Sequence, residues 1–483
     1  CLTKHVGGES ATLASALLLG TRNELDAERS ELFFVTGLAH LLAISGLNVA
    51  MFAYGFWAVV RLGWLPRRIA LTFVAALAIF YALLTGADPP VVRAAILVVC
   101  VCGARFLGRQ GLAYNTLAVA ALLILLVNPE ALFQTGAQLS FLAVAVLCRG
   151  SNRRVVPERR DALDKLLARQ RPWWHRVARH FGAWSVDAVL TSGRVWLVSL
   201  PLVVWRFHLI SPVALALNPI VLAPTAVTLY AGFLTLVLAN GSPWLADGAG
   251  AVCRMSLELL GLSMKWGRAI PGNHGWWAGP NGIWVAAFYV GAACVPLFGW
   301  SRRTSWGLTI VSVAALLGPI AWWCDRAPSG SGVNSRDAWH CTFVAVGHGT
   351  SVLVESPNGR AVLYDCGRLG APTRAARSIA ALLWSRGRTQ LDAVVISHAD
   401  SDHFNGLPEL LERFSIARVY ISRRMEGRTD RAWLAVRESL AREGTPVCLL
   451  EAGDSLPEWG PGVARILHPP ASDSASFGSD NAE

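Results

Sequence analysis

The chain has 483 residues, of which 53% are hydrophobic and 16% are charged, whereas soluble domains carry about 25% charged residues. This composition does not fit a soluble single-domain protein. Lys and Arg number 43, Asp and Glu number 32, and the net charge is +11, so the exposed parts suit anionic partners such as lipid headgroups or nucleic acid. The ten cysteines include no CxxC pair, which argues against a zinc ribbon or a disulfide scaffold.

Residues 1–31 form a polar opening segment that starts at Cys1 and has no signal peptide. We expect this segment to be an extracytoplasmic lead-in and the sequence to be a piece of a longer chain with an upstream domain.

Long apolar runs follow, with the charged residues placed between the runs rather than within them. Runs of about 20 apolar residues are typical of membrane-spanning helices. We therefore expect a polytopic α-helical membrane domain over 32–325. Its helices, about ten in number, are predicted near 33–60, 69–86, 91–108, 113–127, 132–148, 185–206, 212–239, 245–264, 283–300 and 305–324.

The segment 149–184 interrupts these runs and is rich in Arg and Lys. By the positive-inside rule it is cytoplasmic. Counting helices from there places both the start of the chain and the region after the last helix outside the cytoplasm, in a bacterial inner membrane. Lys265 and Arg268 then fall on the outer side as an exception. Part of the segment 149–184 lies along the bilayer surface or forms a solvated basic loop, and the sequence leaves both alternatives open.

A Pro/Ser/Gly-rich linker, residues 326–338, precedes a region with the short apolar runs of an α/β domain. This second domain, residues 339–483, is predicted to contain strands at 341–347, 350–356, 361–367 and 391–397. Helices are predicted at Arg374–Arg386 and Asp430–Arg442.

The loop from Ser397 to His403 reads SHADSDH and directly follows a predicted strand. Alternate residues at a strand end face the same way, so one pair of ligands can turn toward one cation and the next pair toward a neighbouring cation. Two adjacent divalent ions lower the pKa of water and neutralise the attacking and leaving oxygens of a phosphodiester. The alternative is a polar turn without a metal. The candidate metal ligands are His398, Asp400, Asp402 and His403.

This spacing is similar to the H-x-[HD]-x-D-H motif of the metallo-β-lactamase superfamily, and Tyr364-Asp365-Cys366-Gly367 resembles the D-x-G that precedes it there. The resemblance implies an αββα fold, two divalent metal ions, and catalytic roles for Asp402 and His398. It also implies that Asp365 lies behind the metal loop and orients it. By itself, Asp365 fits a turn at a strand end equally well.

The carboxylate at Asp400 is the variant seen in ComEC-type competence proteins, and it hardens the site so that both Mn and Zn fit. His468, in the LHPP after a strand-like run, is a weaker candidate for a later metal ligand.

A second resemblance to ComEC-type proteins covers the membrane half. Thr36 to Val49 (TGLAHLLAISGLNV) is similar to the signature helix of that family. The blocks at Gly86–Ala94, Gln138–Ala143, Phe207–Pro212 and Asn218-Pro219 follow in the expected order. The polar residues within these blocks are costly to desolvate, so we expect them to line a water-filled DNA path, with helix-to-helix hydrogen bonding as the alternative for each. They are His40, Ser45, Asn48, Arg93, Gln138 and Ser140.

Several features depart from the ComEC pattern. Where that family usually has D-V-G-Q-G-D, this chain has Ala345, His348 and Thr350 at the changed positions, so we expect the substrate edge to differ. Asn48 stands where His is frequent. The sequence ends at Glu483, before the family's Gly-Asp strand, and we therefore expect the α/β metallo-β-lactamase-like domain to be incomplete, truncated at its C-terminus.

The resemblance implies an inner-membrane channel for single-stranded DNA in natural transformation, with an extracytoplasmic nuclease-like domain that hydrolyses the strand left behind. Its partners would be DNA, the lipid bilayer and other competence machinery, with a homo-oligomer as an open alternative. Two other functions stay open, namely a membrane-anchored metallohydrolase of another phosphoester and a transporter with an inactive soluble domain. The polar residues within the membrane favour the channel over the anchor, and the intact metal loop argues against the inactive domain.

Overall fold

The computed structural model describes residues 1–21, 25–42, 46–60, 66–109, 113–151, 172–277, 279–294, 338–370, 372–459 and 465–467. These residues divide into two units, Cys1–Gly275 and the residues from Trp276 onward. The predicted helix at 305–324, and the linker 326–338 except for its last residue, lie outside the described residues. The predicted domain boundaries therefore stay predictions.

The first unit is helical, apart from one two-residue strand and the first residue of another at its end. Its helices are α1 (Leu2–His5), α2 (Gly8–Leu19), α3 (Ala27–Val35), α4 (Ala39–Leu42), α5 (Gly46–Val60), α6 (Arg67–Leu84), α7 (Pro89–Phe106), α8 (Ala113–Val127), α9 (Thr135–Ser151), α10 (Trp173–Phe207), α11 (Ala214–Leu238) and α12 (Pro243–Ala269). A 3₁₀ turn (Pro129–Leu132) precedes α9, and two short strands are β1 (Leu209–Ile210) and β2 (Gly275–Trp276).

Four of the described helices are long and apolar enough to cross a membrane: α6, α7, Ser185–Phe207 of α10, and α11. Many of their large apolar side chains are exposed to the surroundings, as expected where lipid is the solvent. This confirms a multi-pass helical membrane region. Shorter apolar helices lie at α8 and α9, and the predicted total of about ten spans stays a prediction.

The single helix predicted at 33–60 is wrong, because the structure divides this stretch among α3, α4 and α5. Gly37 follows α3 with a φ of +73°, and a Cβ added there would lie 2.8 Å from the Cβ of Ala214. The chain must turn at Gly37 to pass α11 this closely, and only glycine does so without strain. The hydroxyl of Ser211 donates to the carbonyl of Val35 and holds the same break.

The opening segment is part of the helical core, which its polar composition did not predict. Leu17 and Leu18 of α2 are almost fully buried. A Cβ added at Gly250 of α12 would lie 2.4 Å from the carbonyl oxygen of His5, so α1 and α12 touch at the backbone. His5 also hydrogen-bonds Asp247 through Nδ1 at 2.6 Å. These contacts make α1 and α2 structural members of the unit.

The basic segment 149–184 is helical at both described ends. Helix α9 continues to Ser151, and α10 starts at Trp173 and runs for 35 residues. Residues 152–171 lie outside the described part of the chain.

The second unit contains a mixed six-stranded sheet. Its helices are α13 (Gly282–Cys294), α14 (Pro372–Ser385), α15 (Ser401–Phe404), α16 (Leu407–Leu411), α17 (Arg423–Glu426) and α18 (Arg431–Glu443). The strands are β3 (His340–Phe343), β4 (Val352–Glu355), β5 (Ala361–Tyr364), β6 (Gln390–Leu391), β7 (Ala393–Val395), β8 (Ser415–Ile416), β9 (Val419–Ser422) and β10 (Val447–Leu450), with a 3₁₀ turn at Pro457–Trp459.

The large sheet has the strand order β10-β9-β7-β5-β4-β3. Strands β5, β7, β9 and β10 run parallel, and β3, β4 and β5 run antiparallel to their neighbours. Helices α14 and α18 cover one face with Ile379, Leu383 and Trp433, all buried in the largest core cluster. The predicted α/β region, its strands and its two long helices are confirmed.

Candidate functional site

The predicted metal loop lies where two parallel strands end side by side. Tyr364 of β5 is paired with Val395 of β7, so the residues that follow each strand emerge at the same edge of the sheet. Asp365 follows β5, and Ser397 and His398 follow β7. The carboxyl ends of parallel strands are the usual place for ligand sites in such sheets.

Asp365 is the buried centre of this edge. Its side chain is 1% exposed, and its φ is +56°, a left-handed backbone that is uncommon for residues other than glycine. Oδ1 accepts a hydrogen bond from the backbone N–H of Ser397 at 2.8 Å. Oδ2 accepts from Oγ of Ser397 and from Nδ1 of His403, both at 2.7 Å. Three hydrogen bonds from the metal loop therefore converge on one carboxylate, and the orienting role that the resemblance implies for Asp365 stays a prediction.

Ser397 fixes the first histidine of the loop. Its hydroxyl donates to Asp365, so its oxygen accepts from Nδ1–H of His398 at 2.9 Å. His403 likewise uses Nδ1–H on Asp365. The tautomer with the proton on Nδ1 leaves the Nε2 lone pair of each ring available, which is the state that a metal ligand requires.

The predicted ligands are brought close together in this loop. The ring centroids of His398 and His403 lie 3.8 Å apart. Nε2 of His398 is 3.2 Å from Oδ2 of Asp400, and Nε2 of His403 is 4.0 Å from Oδ2 of Asp402. Oδ1 of Asp400 is buried without a hydrogen-bond partner.

This donor set fits a divalent cation. Nε2 of His398 hydrogen-bonds Oδ2 of Asp400 at 3.2 Å when the ring carries a proton there, and a divalent cation would take the place of that proton. Within the described ranges, however, no three His, Cys, Asp or Glu side chains form a closed metal-holding group. The fifth candidate, His468, lies outside the described residues.

Cys366, directly after Asp365, carries a buried thiol and is not a candidate metal ligand. Burial raises the pKa of its thiol well above the usual value, and Sγ faces the carbonyl oxygen of Phe404 at 3.9 Å. The thiol therefore stays protonated and packs in the core.

Two residues at this edge, Ser397 and Arg368, were given no role by the sequence analysis. A hydroxyl immediately before the first histidine was the available signal for Ser397. Of the three residues that depart from the ComEC pattern, His348 is exposed at this edge. Its backbone carbonyl accepts a hydrogen bond from the N–H of Leu369 at 2.7 Å. Ala345 is exposed and Thr350 is half-buried.

A second group of predicted residues lies between helices of the first unit. Arg93 on α7 is 6% exposed, and its Nε is buried without a hydrogen-bond partner. A Cβ added at Gly136 of α9 would lie 3.6 Å from a terminal nitrogen of Arg93. Gln138 lies two residues after Gly136 on α9. It donates from Nε2 to the carbonyl of Leu132 at 2.9 Å, but its Oε1 is buried and has no hydrogen-bond partner. Arg93 on α7 and Gln138 on α9 thus each keep a buried polar atom without a hydrogen-bond partner.

His40 lines a cavity of about 380 Å³ in the same unit. The cavity also takes in Asn218 and Pro219, from a block that resembles the competence family, and Asp187 and Ser192 of α10. The Oγ of Ser192 is buried without a partner. Asp187 was missed by the sequence analysis, although an acidic residue at the start of an apolar run is a signal of function in a membrane helix.

The remaining candidates are placed differently. Asn48 is 1% exposed and donates from Nδ2 to the carbonyl of Leu17 at 3.2 Å, so this bond joins α5 to α2. Ser140 is half-buried on α9. Ser45 lies outside the described residues, but Gly46 directly after it packs on α7, where an added Cβ would be 3.2 Å from Cβ of Ala94.

Comparison with known families gives two matches that divide the chain. Residues 17–303 match the family described as Competence protein, and residues 344–482 match the metallo-beta-lactamase superfamily. The second match includes Asp365 and the whole metal loop, and such domains use divalent metal ions in general.

Three relatives match most of this chain. ComE operon protein 3 of Bacillus subtilis (strain 168) is 23% identical over 97% of the chain and 58% of its own length. Competence protein ComA of Neisseria gonorrhoeae is 29% identical over 82% and 51%. The uncharacterized protein YcaI of Escherichia coli (strain K12) is 27% identical over 81% and 49%. The chain therefore spans about half the length of these relatives.

We expect Asp365→Ala to lower the free energy of unfolding by about 3 kcal/mol, because three donors lose a buried acceptor. Asp365→Asn should cost less, since asparagine tolerates the left-handed backbone and keeps one acceptor. Denaturant unfolding of the purified chain measures both, with the exposed Glu438→Ala as control. A loss below about 0.5 kcal/mol for Asp365→Ala would contradict the central role of this carboxylate.

Proposed function

Because the chain belongs to the Competence protein family, we propose that it is an inner-membrane channel that takes up single-stranded DNA in natural transformation. The name of one relative, Competence protein ComA, and the family match over residues 17–303 support this proposal. A multi-pass helical region supplies the membrane component. DNA, the bilayer and other competence machinery are the proposed partners, and a homo-oligomer is compatible with this role.

The unpaired polar atoms of Arg93 and Gln138 carry the proposal. Leaving a buried polar atom without a hydrogen bond costs about 1–3 kcal/mol, so a purely structural contact between α7 and α9 would pair them. A passing DNA strand offers phosphate oxygens to the guanidinium and donors to the amide oxygen. His40 and the cavity of about 380 Å³ extend the polar surface within the unit.

We propose that the second unit is a metal-dependent nuclease that hydrolyses the strand that is not transported. His398, Asp400, Asp402 and His403 would hold two divalent ions, Zn or Mn, and the ions when bound would lower the pKa of water and neutralise the phosphodiester. The chain's own part is to keep both Nε2 atoms unprotonated, through Ser397 and Asp365. His398 and Asp402 are the proposed catalytic residues.

The charge distribution supports an orientation for these parts. The basic segment 149–184 would lie in the cytoplasm. The start of the chain and the metal loop would then lie outside it, where incoming DNA arrives.

We expect Asp402→Ala and His403→Ala to lower the number of divalent ions bound per chain, because each removes a ligand. Elemental analysis and metal titration of the purified chain measure this. Glu443→Ala, an exposed carboxylate on α18, should leave the number unchanged. Unchanged metal content in the first two variants would remove the metal loop from the proposal.

For the orientation, a membrane-impermeant maleimide should label a protein whose only thiol is Cys341, exposed on β3, in cells whose inner membrane is intact. The thiol of Ser151→Cys, in an otherwise cysteine-free chain, should be labelled only after lysis. The opposite pattern reverses the topology, and labelling at both sites would mean that the inner membrane was not intact.

We expect Arg93→Leu to lower transformation about 10- to 100-fold, because a hydrogen bond to a charged group contributes about 1.5–3 kcal/mol. Gln138→Leu should act in the same direction, while both variants keep metal-dependent hydrolysis. Asp402→Ala should lower hydrolysis and leave the helical unit intact.

Arg105→Leu on the exposed end of the same helix is the matched control, and transformation is compared at equal membrane abundance. If Arg93→Leu and Gln138→Leu both transform at the native rate, the DNA path is elsewhere, and a membrane-anchored hydrolase becomes the better function.

A further inference from the structure

Arg368 is held rigidly beside the metal loop through its backbone. Its N–H donates to Oδ1 of Asn405 at 3.0 Å, and its carbonyl accepts from Nδ2 of Asn405 at 2.9 Å. Asn405 follows α15, the short helix that contains Asp402 and His403. The side chain of one residue therefore ties the end of the metal loop to the turn that carries Asp365 and Arg368.

Two glycines let a third loop close over this junction. Gly349 has a φ of +151°, and a Cβ there would lie 2.4 Å from the carbonyl oxygen of Gly367 and 2.7 Å from that of Asp402. Gly347 has a φ of +94°, and its added Cβ would lie 3.1 Å from Cζ of Arg368. The guanidinium therefore lies against the backbone of Gly347, in space that any side chain would occupy.

The guanidinium of Arg368 is not satisfied by this packing. Its Nε is buried and has no hydrogen-bond partner. The carboxylate oxygen Oδ1 of Asp400 in the same loop cluster is also buried and unpaired, yet the two do not bond each other. The buried donor and the buried acceptor each lack a partner, which leaves the carboxylate available to a cation and the guanidinium available to an anion.

We propose that Arg368 and the loop at Gly347–Gly349 form a phosphate-binding subsite for the phosphodiester of the DNA substrate. This inference rests on the proposed nuclease function. A planar guanidinium donates parallel hydrogen bonds to phosphate oxygens, and a backbone fixed by Asn405 loses little freedom on binding. Arg368 holds the phosphate beside the metal loop and takes no part in holding the metal ions.

The probe is the thymidine dinucleotide, which has a single phosphodiester, titrated into the purified full chain in the presence of a chelator. Arg368→Gln should weaken binding at least about tenfold. The affinity of Arg368→Lys should lie between those of the native chain and Arg368→Gln, because lysine keeps the charge and loses the planar fork of the guanidinium. Arg437→Gln, the same charge change on exposed α18, should bind as the native chain does.

Affinities of the native chain and Arg368→Gln within about twofold of each other would overturn the subsite. A structural role would also overturn it, and would appear as a lowered unfolding temperature in Arg368→Gln with no recovery of affinity in Arg368→Lys. Metal content measured on the same samples should not change, and a loss in Arg368→Gln would place this residue in the metal site instead.

Hydrolysis of DNA by the metal-loaded chain separates the two proposals. If the native chain hydrolyses DNA and Arg368→Gln does so with the native KM, the phosphate subsite is wrong and the nuclease function stands. If the native chain binds the dinucleotide through Arg368 but hydrolyses no DNA, the subsite stands and the nuclease function is wrong.

Discussion

The carboxylate of Asp365 accepts three hydrogen bonds at the point where β5 ends beside β7. Through these bonds it holds the start of the metal loop at Ser397 and its end at His403. The buried carboxylate of Asp365 is tolerated because three hydrogen-bond donors of the loop satisfy it. The Nδ1 atoms of both histidines are held by this one group, directly for His403 and through Ser397 for His398, and this contact orients both rings. The placement of the candidate ligands His398 and His403 therefore depends on the carboxylate behind them.

Close backbone approach is the second constraint on the metal loop. Gly349 and Gly367 lie against the carbonyl of Asp402, and Gly406 lies against the carbonyl of Cys366, where an added Cβ would be 2.1 Å away. Three loops from distant parts of the chain thus meet without side chains between them. Such contact leaves little freedom for the candidate ligands, and rigid placement of ligands is what a metal or phosphate site needs.

The two units use unpaired polar atoms in a similar way. Nε of Arg93 and Oε1 of Gln138 lack a partner among the helices, and Oδ1 of Asp400 and Nε of Arg368 lack one at the sheet edge. Folded proteins pair nearly all their buried polar groups, so such exceptions are candidate positions for a ligand. Asn48, by contrast, is paired with the backbone of α2 and serves helix packing. Sequence position alone did not distinguish these two kinds of polar residue within apolar runs.

The sequence by itself determined the apolar runs that become α6, α7, α10 and α11, the α/β texture of the second unit, and the grouping of candidate ligands in one loop. These features depend on local composition and on spacing within a few residues, which the sequence displays directly. Only the tertiary structure decided that 33–60 breaks at Gly37, that α1 and α2 enter the helical core, and that Asp187 shares a cavity with His40. It also decided that Arg368 lies unpaired against Gly347. Each of these depends on contacts between residues far apart in the chain, and no local pattern records which distant backbone a glycine must pass or which hydrogen-bond acceptor an arginine lacks.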